Sequence, residues 1–257
     1  MYEAAPICLH VCSLKTMRIL CAALTLVLLS LFSMAPATAQ SLSPDREADC
    51  DPAVNSLIPL NPAGDEAALC MRRTYELPPT DTLTLRQDHY DAVEVEAWEG
   101  GTIQVETTVV ARQATEDAAR ADLAGITLNQ VDTGATSLRL SASGPDDDAP
   151  GWWSVRYRLR VPAQITLDIS SENSSITVRD VVGSHNLRST NGSLTYRLPA
   201  EARARFRAQT TNGIIKTDFD VGMEGAAHAY LEVVAGTGGP TVLLATTNGN
   251  VTLQQAN

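Results

Sequence analysis

The sequence predicts an all-β fold built on a repeated strand–turn–strand unit. Four segments carry one plan: Ser171-Glu172-Asn173-Ser174, Ser189-Thr190-Asn191-Gly192, Thr210-Thr211-Asn212-Gly213 and Thr246-Thr247-Asn248-Gly249. Their asparagines are 18, 21 and 36 residues apart, the last step being twice the first. Short period-2 segments fill most of the chain from Tyr75 onward, and a single stretch beginning at Thr115 has the marks of a helix.

In chain order, the first element is an apolar run from Ile19 to Ala35, led by Lys15 and Arg18 and broken at Pro36. It ends in Ala37-Thr38-Ala39, the small-x-small pattern of signal peptidase, so residues 1–39 are predicted to be a cleaved signal peptide with Gln40 first in the mature chain. The run is short for a membrane span, contains Ser30 and Ser33, and lacks a stop-transfer charge; no stable span is expected in the mature chain. No cysteine follows the cleavage motif, so a lipid anchor is not indicated, and Met17 is an alternative start. Cleavage would leave Cys50 and Cys70, and two cysteines in an exported chain pair most simply as one disulfide. Residues 40–74, with Pro44, Pro52, Pro59 and Pro62 and no clear periodicity, are predicted to be a linker or cap tied by that bridge.

From Tyr75 the texture changes. Thr82-Leu83-Thr84-Leu85, Val93-Glu94-Val95-Glu96 and Ile103-Gln104-Val105-Glu106 alternate apolar and polar residues, as strands with one wet face do. Thr115 is placed to cap a helix, Glu116 and Asp117 suit its positive end, and good helix formers run from Ala118 to Ala124 before Gly125. Strands resume at Ile126–Val131, Ser137–Ala142 and Val155–Val161.

The repeat occupies about residues 163–257 of a domain taken as 75–257. With Asn as zero, position −4 is Ile169, Leu187, Ala208 and Leu244, and position +3 is Ile176, Leu194, Ile215 and Val251. Position −2 is always Ser or Thr. Each unit thus carries one apolar face on both sides of its turn. The turn residues Asn173, Asn191-Gly192, Asn212-Gly213 and Asn248-Gly249 suit a tight bend with φ > 0. Two architectures satisfy this pattern: a hairpin meander leading to an antiparallel sandwich, or a β-solenoid in which each unit is a rung and equivalent positions stack. Spacing alone does not separate them.

The half from Val93 to Leu253 resembles the bacterial "putative adhesin" family of β-strand-repeat proteins, whose function is unknown. The residues that carry the resemblance are Val93-Glu94-Val95-Glu96-Ala97-Trp98, the helix at Thr115–Leu123, Tyr157-Arg158-Leu159-Arg160-Val161-Pro162, the four turns, and Gly236-Thr237-Gly238-Gly239-Pro240. The resemblance implies a right-handed β-helix-like stack and brings no catalytic residues. The stretch from Phe219 to Val234 departs from the pattern, so one rung should be irregular or missing.

A net charge of −11, from 19 Lys+Arg against 30 Asp+Glu, argues against a nucleic acid or an anionic membrane as partner. No metal, cofactor or catalytic assignment emerges. His89, His185 and His228 share no ligand spacing, and His185, at position −6, reads as a structural core residue. Asp146-Asp147-Asp148 between Gly-Pro and Pro-Gly reads as a solvated turn more than as a Ca²⁺ site. Neither a G-x-S-x-G elbow nor a phosphate loop is present. Of the adjacent Trp152 and Trp153, one is expected to pack and the other to be a cap or a sugar platform. Glycosidase chemistry needs two nearby carboxylates, and no outward column of the repeat stacks two acids. Thr177, Thr195 and Thr252, in column +4 with Lys216, are instead expected to form a flat binding face. The functional expectation is an exported, non-enzymatic structural or adhesive module, with envelope proteins or polysaccharide as partners. The alternatives are a carbohydrate-active enzyme on a β-helix and an envelope-stress or sensor accessory.

Overall fold

A computed structural model describes residues 39–51, 66–87, 92–134, 136–146, 148, 150–219 and 229–256. The signal peptide, apart from Ala39, and His89, His228 and Asp147 lie outside the described residues.

The described chain is almost entirely β. Eighteen strands are β1 (Gln40–Leu42), β2 (Arg46–Asp49), β3 (Ala67–Leu77), β4 (Thr82–Gln87), β5 (Ala92–Trp98), β6 (Ile103–Gln113), β7 (Thr127–Gly134), β8 (Ser137–Ser143), β9 (Trp152–Pro162), β10 (Thr166–Ser171), β11 (Ser175–Arg179), β12 (His185–Ser189), β13 (Leu194–Leu198), β14 (Ala204–Thr210), β15 (Ile215–Thr217), β16 (Tyr230–Ala235), β17 (Thr241–Thr246) and β18 (Val251–Gln255). One helix, α1 (Glu116–Gly125), interrupts them. It starts as the sequence predicts, with Thr115 Oγ1 accepting the Ala118 N–H at 3.2 Å and Glu116 and Asp117 in the first turn.

The strands form two nine-stranded mixed sheets. The first runs β1-β7-β8-β4-β10-β12-β17-β14-β16 and the second β15-β18-β13-β11-β5-β9-β6-β3-β2. Each unit sends its first strand to the first sheet and its second strand to the second sheet. Units pair in parallel at the same offset: Ile169 lies opposite Leu187, and Ile176 opposite Leu194. Leu187 does not pair with Tyr196 across its own turn, as a meander would require. Alternation then buries one face of each strand. Leu83, Leu167, Ile169 and Leu187 of the first sheet, and Val93, Ile176, Val178 and Leu194 of the second, are all fully buried in one core. Tyr196 and Phe206 fill its centre edge-to-face, with ring centroids 5.4 Å apart.

The stacking order departs from chain order. The asparagine units stand in the sequence 173, 191, 248, 212, because β17 lies between β12 and β14 and β18 lies between β13 and β15. Equal patterning makes the units interchangeable as neighbours, so offsets reveal equivalence and not adjacency. The irregular stretch expected from Phe219 to Val234 contains β16, which turns back antiparallel on β14 and closes that end of the first sheet; residues 220–228 lie outside the described residues. After β16, Gly236 (φ 65°) and Gly238 (φ 86°) take left-handed backbone, and the chain re-enters as β17.

The expected linker or cap at 40–74 is, among its described residues, mostly strand, broken at 43–45 and 50–51. β1 pairs with β7, β2 with β3, and β3 with β6 along its whole length, so a boundary at 74/75 would cut a strand of eleven residues. β1 and β2 span three and four residues, too few to show a period. In β3 and β6 the alternation is blurred because both faces are covered: α1 lies on the core-facing side, against Arg73 and Gln113, and Thr107, Thr108, Val109, Val110 and Ala111 are buried in succession. Arg73 of β3 is drawn under the helix, where it donates Nη2 to the Leu123 carbonyl at 2.7 Å and Nη1 to the Ile126 carbonyl. A cation there opposes the negative end of the helix dipole. Cys50 and Cys70 form a disulfide across β2 and β3, with Cα atoms 5.5 Å apart.

Candidate functional site

The repeated turns come first, because they set the spacing of everything the outer faces present. In three of the four units the residue at −2 clips the neighbouring turn: Ser189 Oγ donates to the Ser174 carbonyl (2.9 Å), Thr246 Oγ1 to Gly192 (2.8 Å) and Thr210 Oγ1 to Gly249 (2.7 Å). The asparagine amides form a ladder along the stack. Asn212 Nδ2 donates to Asn248 Oδ1 at 2.7 Å, Asn248 Nδ2 to Asn191 Oδ1 at 2.6 Å, and Asn191 Nδ2 to Asn173 Oδ1 at 2.8 Å. The amide at zero thus joins all four units, and the hydroxyl at −2 bonds to the neighbouring unit in three of them.

The glycines after Asn do not serve the purpose expected of them. Gly192, Gly213 and Gly249 are absent from the residues with positive φ. They are required by close approach. A Cβ on Gly192 would overlap the Ser174 carbonyl, one on Gly213 the Gly249 carbonyl, and one on Gly249 the Gly192 carbonyl. Stacked backbone, not left-handed backbone, selects glycine here.

The outer face of the second sheet places the predicted residues together. Thr177, Thr195 and Thr252 lie side by side in one row, continued by Lys216 at one end and by Glu94 and Arg158 at the other. Neighbouring strands set their spacing at about 4.8 Å. Beyond the threonines the face is ion-paired: Arg158 approaches Glu94 (3.9 Å) and Glu106 (3.6 Å), Arg179 approaches Glu94 (3.6 Å), and Arg72 approaches Glu106 (3.8 Å). Glu94 and Glu106 are the one flanking acid pair the repeat columns could not show. They sit on an open sheet with the Arg158 strand between them, not facing each other across a groove.

The remaining candidates are structural. His185 is 2% exposed in a column with Leu167 and Val242, and its Nδ1 accepts the Leu167 N–H at 3.3 Å. Burial pushes its pKa down to about 4. Burial likewise pushes the Tyr157 and Tyr196 hydroxyls up, and the Tyr196 hydroxyl donates to the Val181 carbonyl at 2.5 Å. Trp153 is the packed member of its pair, donating Nε1 to the Pro145 carbonyl at 3.1 Å. Trp152 stacks beneath the Arg112 guanidinium, 5.6 Å from the ring centroid, so its face is already covered. Among the described residues no three His, Cys, Asp or Glu side chains gather in a metal-binding group, and no helix is long and apolar enough to cross a membrane.

One feature of the first sheet escaped the sequence reading. Its outer face carries a shallow trough of about 490 Å³ at the turn end, lined by Ser170, Glu172, Arg188, Thr190, Gln209 and Ala245 among others. The trough exists because β17, with short outward side chains, is inserted between β12 and β14, which carry long ones. Out-of-order stacking created it, so reading the columns in chain order could not.

No family model matches the chain, and no curated protein matches it. Solved structures similar to it include a "putative cell adhesion protein" from Clostridium sporogenes (8% identity, 72% of this chain and 99% of that one, TM-score 0.48). Others are a "putative adhesin" from Bacteroides fragilis (10% identity, 73% and 97%, TM-score 0.32) and one from Parabacteroides merdae (10% identity, 76% and 98%, TM-score 0.31).

Proposed function

We propose that this chain is an exported, non-enzymatic adhesive module of the bacterial envelope, cleaved after Ala39 and holding its partner on the outer faces of its sheets. The observation that carries this reading is the in-register row Thr177–Thr195–Thr252 on a flat sheet. Hydroxyls at strand spacing on a rigid sheet present a repetitive hydrogen-bonding surface, which suits a repetitive ligand such as a polysaccharide or an envelope protein array. We read the stacked units as a β-solenoid, with right-handed turns and the last unit inserted before its predecessor. Parallel pairing at equal offsets and a hydrogen-bond ladder continuous through the turns support that reading.

The test is binding of the purified protein to envelope fractions and to purified surface polysaccharide. Retention that falls when Thr177, Thr195 and Thr252 are together replaced by Glu is the expected result; a protein that binds none of these surfaces overturns the adhesive reading. Intact mass of the exported protein reads the cleavage after Ala39. For the stack, paired cysteines replacing Ile176 and Leu194 should crosslink, while a pair replacing Leu187 and Tyr196 should not.

A further inference from the structure

The outer face of the first sheet differs from that of the second in charge and relief. β17 sits between β12 and β14 and shows Thr241, Leu243 and Ala245 outward. On one side rise Asn186 and Arg188, and on the other Arg205, Arg207 and Gln209, with Arg207 opposite Leu243 and Gln209 opposite Ala245. Leu243 and Ala245 thus form a half-buried apolar strip along β17, whose six residues span about 20 Å of extended strand, between longer polar and guanidinium side chains, and the trough lined by Ser170, Glu172, Arg188 and Gln209 opens at its turn end.

Charge is what sets this trough apart. In a chain of net charge −11, Arg188, Arg205 and Arg207 are exposed on this face, and Arg203 is exposed just before β14. Only Arg207 has an ion pair among the described residues, to Glu232 at 3.5 Å. Arg188 donates to Asn186 Oδ1 and Arg203 to Thr237 Oγ1, both neutral partners. By contrast, Arg72, Arg158 and Arg179 of the second sheet are all matched by carboxylates. Exposed arginines without counter-charges are poised for an anion, and their planar forks suit carboxylate, sulfate or phosphate groups. Glu172, at the turn end, confines the attraction to the strand portion of the trough.

We propose that this strip, with the trough at its turn end, binds an extended acidic polysaccharide, with its acid groups on Arg188 and Arg205 and the apolar faces of its sugars on Leu243 and Ala245. The proposal rests on the adhesive reading and names its ligand class. The length of the strip, its apolar side chains and the arginines without carboxylate partners together favour a chain of acidic sugars over a small anion, which needs no apolar contact.

Immobilised polygalacturonate is the carboxylate probe and dextran sulfate the sulfate probe, with neutral dextran, anionic phosphatidylglycerol vesicles and duplex DNA beside them. The protein should bind at least one acidic polysaccharide and not neutral dextran, in a salt-dependent manner. R188Q/R205Q should weaken binding by roughly tenfold or more through lost charge-assisted bonds. A245W, an outward substitution that leaves the core intact, should do the same by filling the floor. R46Q/R160Q removes the same charge from the second sheet and should leave affinity within about twofold, since distant exposed charges are screened. Equal weakening by R46Q/R160Q, binding to vesicles or DNA as tight as to the polysaccharide, or no effect of A245W overturns the proposal. Binding to envelope fractions through the threonine row without binding to either polyanion overturns it while leaving the adhesive reading standing.

Discussion

The order of the asparagine ladder can be tested by thermodynamic coupling. Asn248 donates to Asn191 at 2.6 Å and accepts from Asn212 at 2.7 Å, whereas Asn191 and Asn212 share no bond. A neutral hydrogen bond contributes about 0.5–1.5 kcal/mol net, and exposed amides fall in the lower half of that range. Asn248→Ala cuts two bonds and should cost about 1–2 kcal/mol, while Asn212→Ala cuts one and should cost about half as much. In double-mutant cycles, Asn248→Ala should couple to Asn191→Ala and to Asn212→Ala by about 0.5–1 kcal/mol each. The pair Asn191→Ala with Asn212→Ala should be additive within about 0.5 kcal/mol. Urea unfolding at constant m reads all three cycles. Strong coupling of Asn191 to Asn212, with none to Asn248, would mean that the units stack in chain order and that the trough over β17 does not exist.

Other perturbations address the remaining physical claims. Gly192→Ala should destabilise by more than about 1 kcal/mol, because its Cβ meets the Ser174 carbonyl, while Gly101→Ala, with open space around it, should stay within about 0.5 kcal/mol; equal effects in thermal melts would refute close approach as the cause. The pKa of His185 is lowered from 6.5 to about 4, so the unfolded chain binds the proton first and stability falls as pH drops from 6.5 toward 4, by up to about 3 kcal/mol. His185→Leu should flatten that part of the pH–stability curve; an unchanged slope between pH 7 and 5 would show that His185 is solvated. Reducing the Cys50–Cys70 bridge, which closes a separation of 20 residues, should cost about 3 kcal/mol in the chain-entropy model, read as a lower Tm with reductant.

The sequence by itself determined the local elements and which residues are equivalent. Alternation marked Thr82–Leu85 and Val93–Glu96 as strands because one face of each must be buried, and Thr115 with its acidic neighbours marked the start of α1 because those groups satisfy a helix N-terminus. Equal offsets from Asn173, Asn191, Asn212 and Asn248 marked four interchangeable units and brought Thr177, Thr195 and Thr252 into one row. Interchangeable units carry no instruction about who neighbours whom. Only the tertiary structure decided that the last unit stands between its two predecessors, through the antiparallel return of β16 and the left-handed glycines after it. Likewise, only the contact of stacked turns reveals why Gly192 and Gly213 are glycine, since a carbonyl from a neighbouring unit is invisible to local backbone preference. The strands at 40–42, 46–49 and 67–74 went unread for a related reason: two are too short to show a period, and the third shows no strict alternation of burial beside a partner, β6, that is covered on both faces. Periodicity records burial along one strand; the order of strands and the relief they leave on the surface depend on contacts between residues far apart in the chain.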